Sequence, residues 1–194
     1  MRVLVYLGRT RSLGITYSRS AERPELHAYA DSNWSTTRSI TGFVIFLGGA
    51  YVHAAARRQH CISMSSCEAE LIALADLSIE IIYFRALLKF LGYDVSDPTE
   101  VSTDNKGAYD LCHRYTSAAN SRHVDRKLFK MREMCGTGDV TVKRVGTEWN
   151  PADLYTKILS RQPFEKFRKW VLNSRADTAA QLAHRQSRVK GGHA

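Results

Sequence analysis

Between Leu71 and Leu88 the apolar residues Leu71, Leu74, Leu77, Ile81, Phe84 and Leu88 recur every three or four positions. That spacing lays them along one face of a single long helix, which ends near Gly92. A helix with one apolar stripe must bury it against another layer, and the preceding sequence supplies one. ELHAYAD, from Glu25 to Asp31, reads as a strand, and ITGFVIFLGGAYVHAAA reads as two apolar runs around Gly48-Gly49, the signal of a tight hairpin turn. Three antiparallel strands capped by a helix are the simplest arrangement.

Beyond Gly92 strands and helices alternate. A strand is expected around Glu100 to Asp104, helices around Asn105 to His113 and His123 to Cys135, and a strand at Val140 to Val145. Asn150-Pro151 then opens a last helix pair, with Asn as cap and Pro at the first helical position. A strand, helix and strand in one sheet imply parallel pairing with right-handed crossovers, so the sheet should be mixed and covered by helices. The class is α/β. A chain of 194 residues, 44% of them hydrophobic, suits one compact domain, here 25–173. Residues 1–24 read as a connector, and 174–194 as a flexible basic tail too poor in apolar residues to order itself.

Lys and Arg number 28 against 19 acids, a formal net charge of +9 that suits a polyanionic partner. Cys61, Cys67, Cys112 and Cys135 show neither paired metal-site spacing nor the density of a disulfide scaffold, which favours a reducing, intracellular and cytoplasmic setting. No apolar run approaches the ~18 residues that cross a bilayer, so no membrane partner is expected.

Isolated acids fall at the ends of these elements. Asp31 ends the first strand, Glu70 lies in the opening turns of the long helix, Asp104 ends the fourth strand, and Asp153 opens a late helix. Four carboxylates converging on one sheet edge repel one another unless cations neutralise them, and oxygen ligands select Mg²⁺, with Mn²⁺ as a substitute. Two such ions about 4 Å apart would support in-line phosphodiester displacement. Each acid also has a structural reading. Asp31 in YADSNW could build a turn, Asp104 could cap the next helix, and Asp153 could simply favour a helix dipole. Glu68 fits a capping box begun by Ser65, while Glu70, roughly 200° around the helix, borders the packed face. Glu70 is therefore the metal candidate and Glu68 the fallback.

Taken together, YADSNW, TRSITGFVIFLGG, SSCEAELIALAD, STDNKGA, SRHVDRKLFKMRE and NPADLYTK resemble, in order and spacing, the ribonuclease H domain of copia-type LTR retrotransposon Pol polyproteins. YLGRTRSLGITYS resembles the link to a preceding reverse transcriptase. The resemblance implies a ribonuclease H-like fold, a five-stranded mixed sheet with helices on both faces. It also implies catalytic, metal-binding Asp31, Glu70, Asp104 and Asp153, two Mg²⁺ ions, and cleavage of the RNA strand of an RNA–DNA hybrid. The reverse transcriptase region of the same polyprotein would be a further partner. Hybrid contacts are expected from Arg38, Arg57, Arg58, Gln59, Asn105, Arg122 and Lys127, chiefly to phosphates. HAAARRQ stands where relatives carry a Trp and a Ser-Lys-Lys-Gln run, and the loop from Trp34 to Arg38 lacks their Gly-Asp insertion. No His lies between Gly146 and Pro151 to shuttle a proton, so turnover should be modest. His123 is the nearest alternative, with a helix-capping or surface role as its other reading. A decayed copy that binds nucleic acid or only supports its neighbours is the competing expectation.

Overall fold

The computed structural model describes residues 2–17, 24–113 and 122–172. Its elements are α1 (Arg2–Arg9), β1 (Leu26–Asn33), β2 (Ile40–Leu47), β3 (Ala50–Arg58), α2 (Ser66–Phe90), β4 (Thr99–Thr103), α3 (Lys106–His113), α4 (Arg122–Gly136), β5 (Val140–Arg144) and α5 (Arg161–Val171). A 3₁₀ helix at Pro151–Tyr155 precedes α5, so the expected last helix pair is one tight turn followed by one α-helix. The tail from 174 onward lies outside the described residues.

The sheet order is β3-β2-β1-β4-β5. β1, β2 and β3 pair antiparallel, while β1, β4 and β5 run parallel. Gly48 and Gly49 join β2 to β3 with φ of 58° and 80°. Both turn residues thus occupy the left-handed region that side chains resist and hairpin twist demands. This is the five-stranded mixed sheet that the family resemblance implies.

Alternation along β1 and β2 splits the buried residues between two faces. Ala28, Ala30, Phe43 and Ile45 meet the α2 stripe, together with Leu128, Met131 and Met134 of α4. Leu71, Leu74, Leu77 and Ile81 are fully buried there, each contributing about 1.5–3 kcal/mol by leaving water. On the opposite face Tyr29, Val44 and Phe46 pack with Val145 and Ala152, and Trp149, Tyr155 and Val171 close over them. Helices therefore cover both faces. Ser65 starts α2 by accepting from the Glu68 N–H, and Glu68 accepts from the Met64 N–H. Within the first stretch, α1 sets Tyr6 edge-on to Phe164 of α5, at 5.8 Å between ring centres.

All four cysteines are free. Among the described residues no helix is long and apolar enough to cross a membrane.

Candidate functional site

The topology brings four segments to one edge of the sheet. β1 and β4 are adjacent and parallel, so Asp31 near the end of one and Asp104 just past the other share that edge. β3 ends at the same side, because Asn33, Ile40 and Arg58 stand in one row across the antiparallel strands. α2 therefore begins there and carries Glu70 in its first turns. β5, parallel to β4, leaves by that edge too, and delivers the segment from Asn150 to Lys157. Open sheets form their ligand crevices outside the carboxyl ends of such strands.

One carboxylate oxygen each from Asp31, Glu70 and Asp104 lies within 4.8 Å of the others. Asp31 is 1% exposed, and Glu70 and Asp153 are 5% exposed. Glu70 ties the two parallel strands together: its Oε1 accepts from the Ser32 N–H at 3.1 Å and its Oε2 from the Thr103 hydroxyl at 3.4 Å. Asp31 accepts from the Thr156 hydroxyl through Oδ2. The Lys157 ammonium donates to Asp31 Oδ1 at 3.1 Å and to Asp153 Oδ1 at 2.7 Å. Asp153 therefore stands outside the group of three but reaches it through Lys157.

Electrostatics follow from this burial. The Glu70 carboxyl is pushed up to about 9 by burial, then by the charges of Asp31 and Asp104; the Ser32 N–H and Lys157 only partly offset them. Asp153 is pushed up to about 6, again chiefly by burial, against the Lys157 hydrogen bond. Burial pulls Lys157 downward, but its bonds to Asp153 and Asp31 outweigh that and leave it raised. Three converging oxygen-only donors, two buried and Asp104 half-buried, with one carboxyl driven toward its neutral form, fit a hard divalent cation such as Mg²⁺ or Mn²⁺.

Asn150 fixes the late segment in place. Its Nδ2 donates to the Ala30 carbonyl at 2.9 Å and to Asp104 Oδ1 at 3.5 Å, while its Oδ1 accepts from the Ala152 N–H at 3.2 Å. Asn150 is fully buried, so Asn150→Ala would strand a strand carbonyl and a helix N–H. The expected cost is about 2–3 kcal/mol, or roughly 6–10 °C of melting temperature for a chain of this size. Thermal denaturation checks this, and a variant melting with the wild type would remove the pinning role.

The remaining candidates divide. Arg38 and Arg58 are exposed, and Arg58 stands opposite Ile40 at the same end of the sheet. Arg57 is exposed but pairs with Glu80 at 3.0 Å and lies over the Phe43 ring. Lys127 pairs with Asp76 at 2.6 Å. The Arg122 and His123 side chains lie outside the described part of α4. Asn105 caps α3, its Oδ1 accepting from the Ala108 N–H, which is the structural job that Asp104 was considered for. Gln59 requires a correction as a hybrid contact. It is 2% exposed, donates to Thr41 Oγ1 and the Ala69 carbonyl, and accepts from the Ser63 hydroxyl. Its amide joins β2 to the start of α2 and is closed to a ligand. Glu68 remains at the cap of α2. Sequence reasoning missed Asn150, Thr156 and Lys157 as site residues, although Lys157 stands four positions after Asp153 in a helical stretch, a readable ion-pair spacing.

No family model matches the chain. It is 31% identical over 174 residues to the retrovirus-related Pol polyprotein from transposon RE2 of Arabidopsis thaliana, covering 88% of this chain and 12% of that protein. The corresponding protein from transposon TNT 1-94 of Nicotiana tabacum is 29% identical over 152 residues, covering 76% of this chain and 11% of its own length. The chain thus spans about an eighth of the length of these polyproteins. Among solved structures it is similar to LC11-RNase H1 isolated from compost, with a TM-score of 0.49, 14% identity, and coverage of 68% of this chain and 91% of that one.

Proposed function

From the premise that the chain belongs with the retrovirus-related Pol polyproteins of transposons, of which it matches one segment, we propose that it is their ribonuclease H. It would hydrolyse the RNA strand of an RNA–DNA hybrid with a divalent metal. The observation that carries this reading is the convergence of Asp31, Glu70 and Asp104 at the carboxyl ends of β1 and β4. Those three carboxylates would hold the metal, with Asp153 beside them. A bound Mg²⁺ would supply Lewis-acid polarisation of the phosphoryl oxygen and a nucleophilic water at neutral pH.

The chain's own residues do the rest. Thr156 and Lys157 hold Asp31 in one orientation, and Asn150 keeps Asp104 and the 3₁₀ helix in register with β1. Arg38 and Arg58, exposed at the same end of the sheet, are the phosphate contacts the reading favours, with Arg57 and Lys127 contributing once freed from their ion pairs. Such contacts make binding strongly salt-dependent. The RNA strand would be recognised through its 2′-hydroxyls and A-like shape, with little base preference. The reverse transcriptase portion of a Pol polyprotein is the proposed neighbour, providing the hybrid.

A labelled RNA–DNA hybrid, incubated with Mg²⁺ or with chelator, tests the assignment. Cleavage of the RNA strand is expected only with metal, and is expected to vanish in Asp31→Asn and Asp104→Asn. Equal cleavage by wild type and both variants would overturn it. Salt-sensitive hybrid binding without metal-dependent cutting would instead favour a binding remnant.

A further inference from the structure

We propose that Lys157 is itself one of the cations of the carboxylate cluster, its ammonium filling the place of a second divalent ion, so that the site takes a single one among Asp31, Glu70 and Asp104. The inference rests on the nuclease reading and departs from the two ions that the family resemblance implies. Two of the four acids already share a cation: the Lys157 ammonium lies 2.7 Å from Asp153 Oδ1 and 3.1 Å from Asp31 Oδ1. Among the described residues it is the only basic group paired to any of the four. Of the other grouping, Asp31, Glu70 and Asp104, Asp31 is the member that Lys157 pairs with, and among the described residues Glu70 and Asp104 have no ion pair. The cluster therefore divides into one place held by an ammonium and one suited to a metal.

Asp31 belongs to both places, and the ammonium between it and Asp153 sets the limit. Each carboxylate oxygen offers about two acceptor sites. Oδ2 takes the Thr156 hydroxyl and Oδ1 takes Lys157, which leaves one acceptor site on each oxygen, and an ion shared with Glu70 and Asp104 would use one of them. A second ion would have to be held by Asp31 and Asp153, the very pair that the ammonium bridges, and its charge would repel the ammonium at contact range.

Lys157 is also anchored through its backbone. Its N–H donates to the Asp153 carbonyl at 3.0 Å, which fixes the backbone relative to the acid it pairs with.

Mn²⁺ binding to the full chain, counted by titration calorimetry and by electron paramagnetic resonance, tests this without reference to cleavage. One Mn²⁺ per chain is expected for the wild type and for Lys157→Arg. Two are expected for Lys157→Met, with the line broadening of a spin-coupled pair. Two ions on the wild type would overturn the inference while leaving the nuclease reading intact, and that count needs no variant to fold. One ion on both the wild type and a folded Lys157→Met would overturn it as well. No Mn²⁺ on the wild type would overturn both the inference and the metal site beneath it.

Discussion

Glu70→Gln is expected to lower hybrid cleavage by a factor on the order of 10³ or more, while making the metal-free protein harder to unfold. The two effects have one cause. Glu70 is 5% exposed and faces the charges of Asp31 and Asp104, so its carboxyl is raised from an ordinary 4.5 to about 9. An acid whose folded pKa lies above its unfolded one binds more protons when folded. Its contribution to stability is complete below the unfolded value and is lost as pH climbs toward the folded one. The metal-free wild type should therefore lose stability steadily between pH 4.5 and 9. Asp153, raised only to about 6, has finished titrating by pH 7, so the slope above that belongs to Glu70. An amide cannot ionise and keeps the acceptor oxygen that meets the Ser32 N–H. At pH 8 the variant should gain at least about 2 kcal/mol, or roughly 5 °C. Melting curves in chelator at pH 7 to 8, above the titration of Asp153 and below that of the buried thiols, should slope downward for the wild type and run nearly flat for the variant. Added Mn²⁺ should reverse the ranking, since only the wild type regains a ligand-linked increment. A variant with the wild-type slope would show that Glu70 does not carry the strain of the cluster.

What the sequence made legible is what local chemistry determines. Gly48-Gly49 forecasts the hairpin because both positions need a positive φ, which the structure shows. The stripe from Leu71 to Leu88 forecasts α2 because its period has no strand equivalent. Asp31, Glu70 and Asp104 stood out because acids at the ends of buried elements are costly without a purpose. Gln59 was misread for the opposite reason. Next to Arg57 and Arg58 it looks like part of a polar surface, and only the approach of the Ala69 carbonyl from α2 turns its amide inward. Lys157 was half legible: its spacing from Asp153 is local, but its bond to Asp31 crosses 126 positions of sequence. The late 3₁₀ helix carries the start signals of an α-helix at Asn150-Pro151. It ends after one tight turn, with the Thr156 and Lys157 N–H groups both returning to the Asp153 carbonyl, and α5 starts anew after Ser160, which makes no side-chain cap bond.

Gly42→Ala should damage both stability and cleavage, although Gly42 carries no side chain and touches no substrate. It sits opposite Asp31 in the β1–β2 ladder, in the row shared with Ala56 of β3. A methyl group there would press into Thr156 Cγ2, and would stand 3.0 Å from Tyr155 Cβ and 3.2 Å from the Ala152 carbonyl. None of these atoms is the free end of a flexible chain, so the 3₁₀ helix must back away as a unit. Overpacking of this kind costs about 1–3 kcal/mol, which is roughly 3–10 °C here. The displaced unit carries Asp153, Thr156 and Lys157 away from Asp31 and loosens both bonds that orient that carboxylate. Misplacing a reacting geometry by about 1 Å costs on the order of 10²-fold in rate, so cleavage should fall by about that factor even in the fraction that stays folded. Gly136→Ala is the control: it closes α4, has open space where the methyl would go, and should melt and cleave like the wild type. Thermal melting and hybrid cleavage on the two variants side by side decide the matter. A Gly42→Ala protein indistinguishable from the control would mean that the 3₁₀ helix does not owe its distance from Asp31 to the missing side chain.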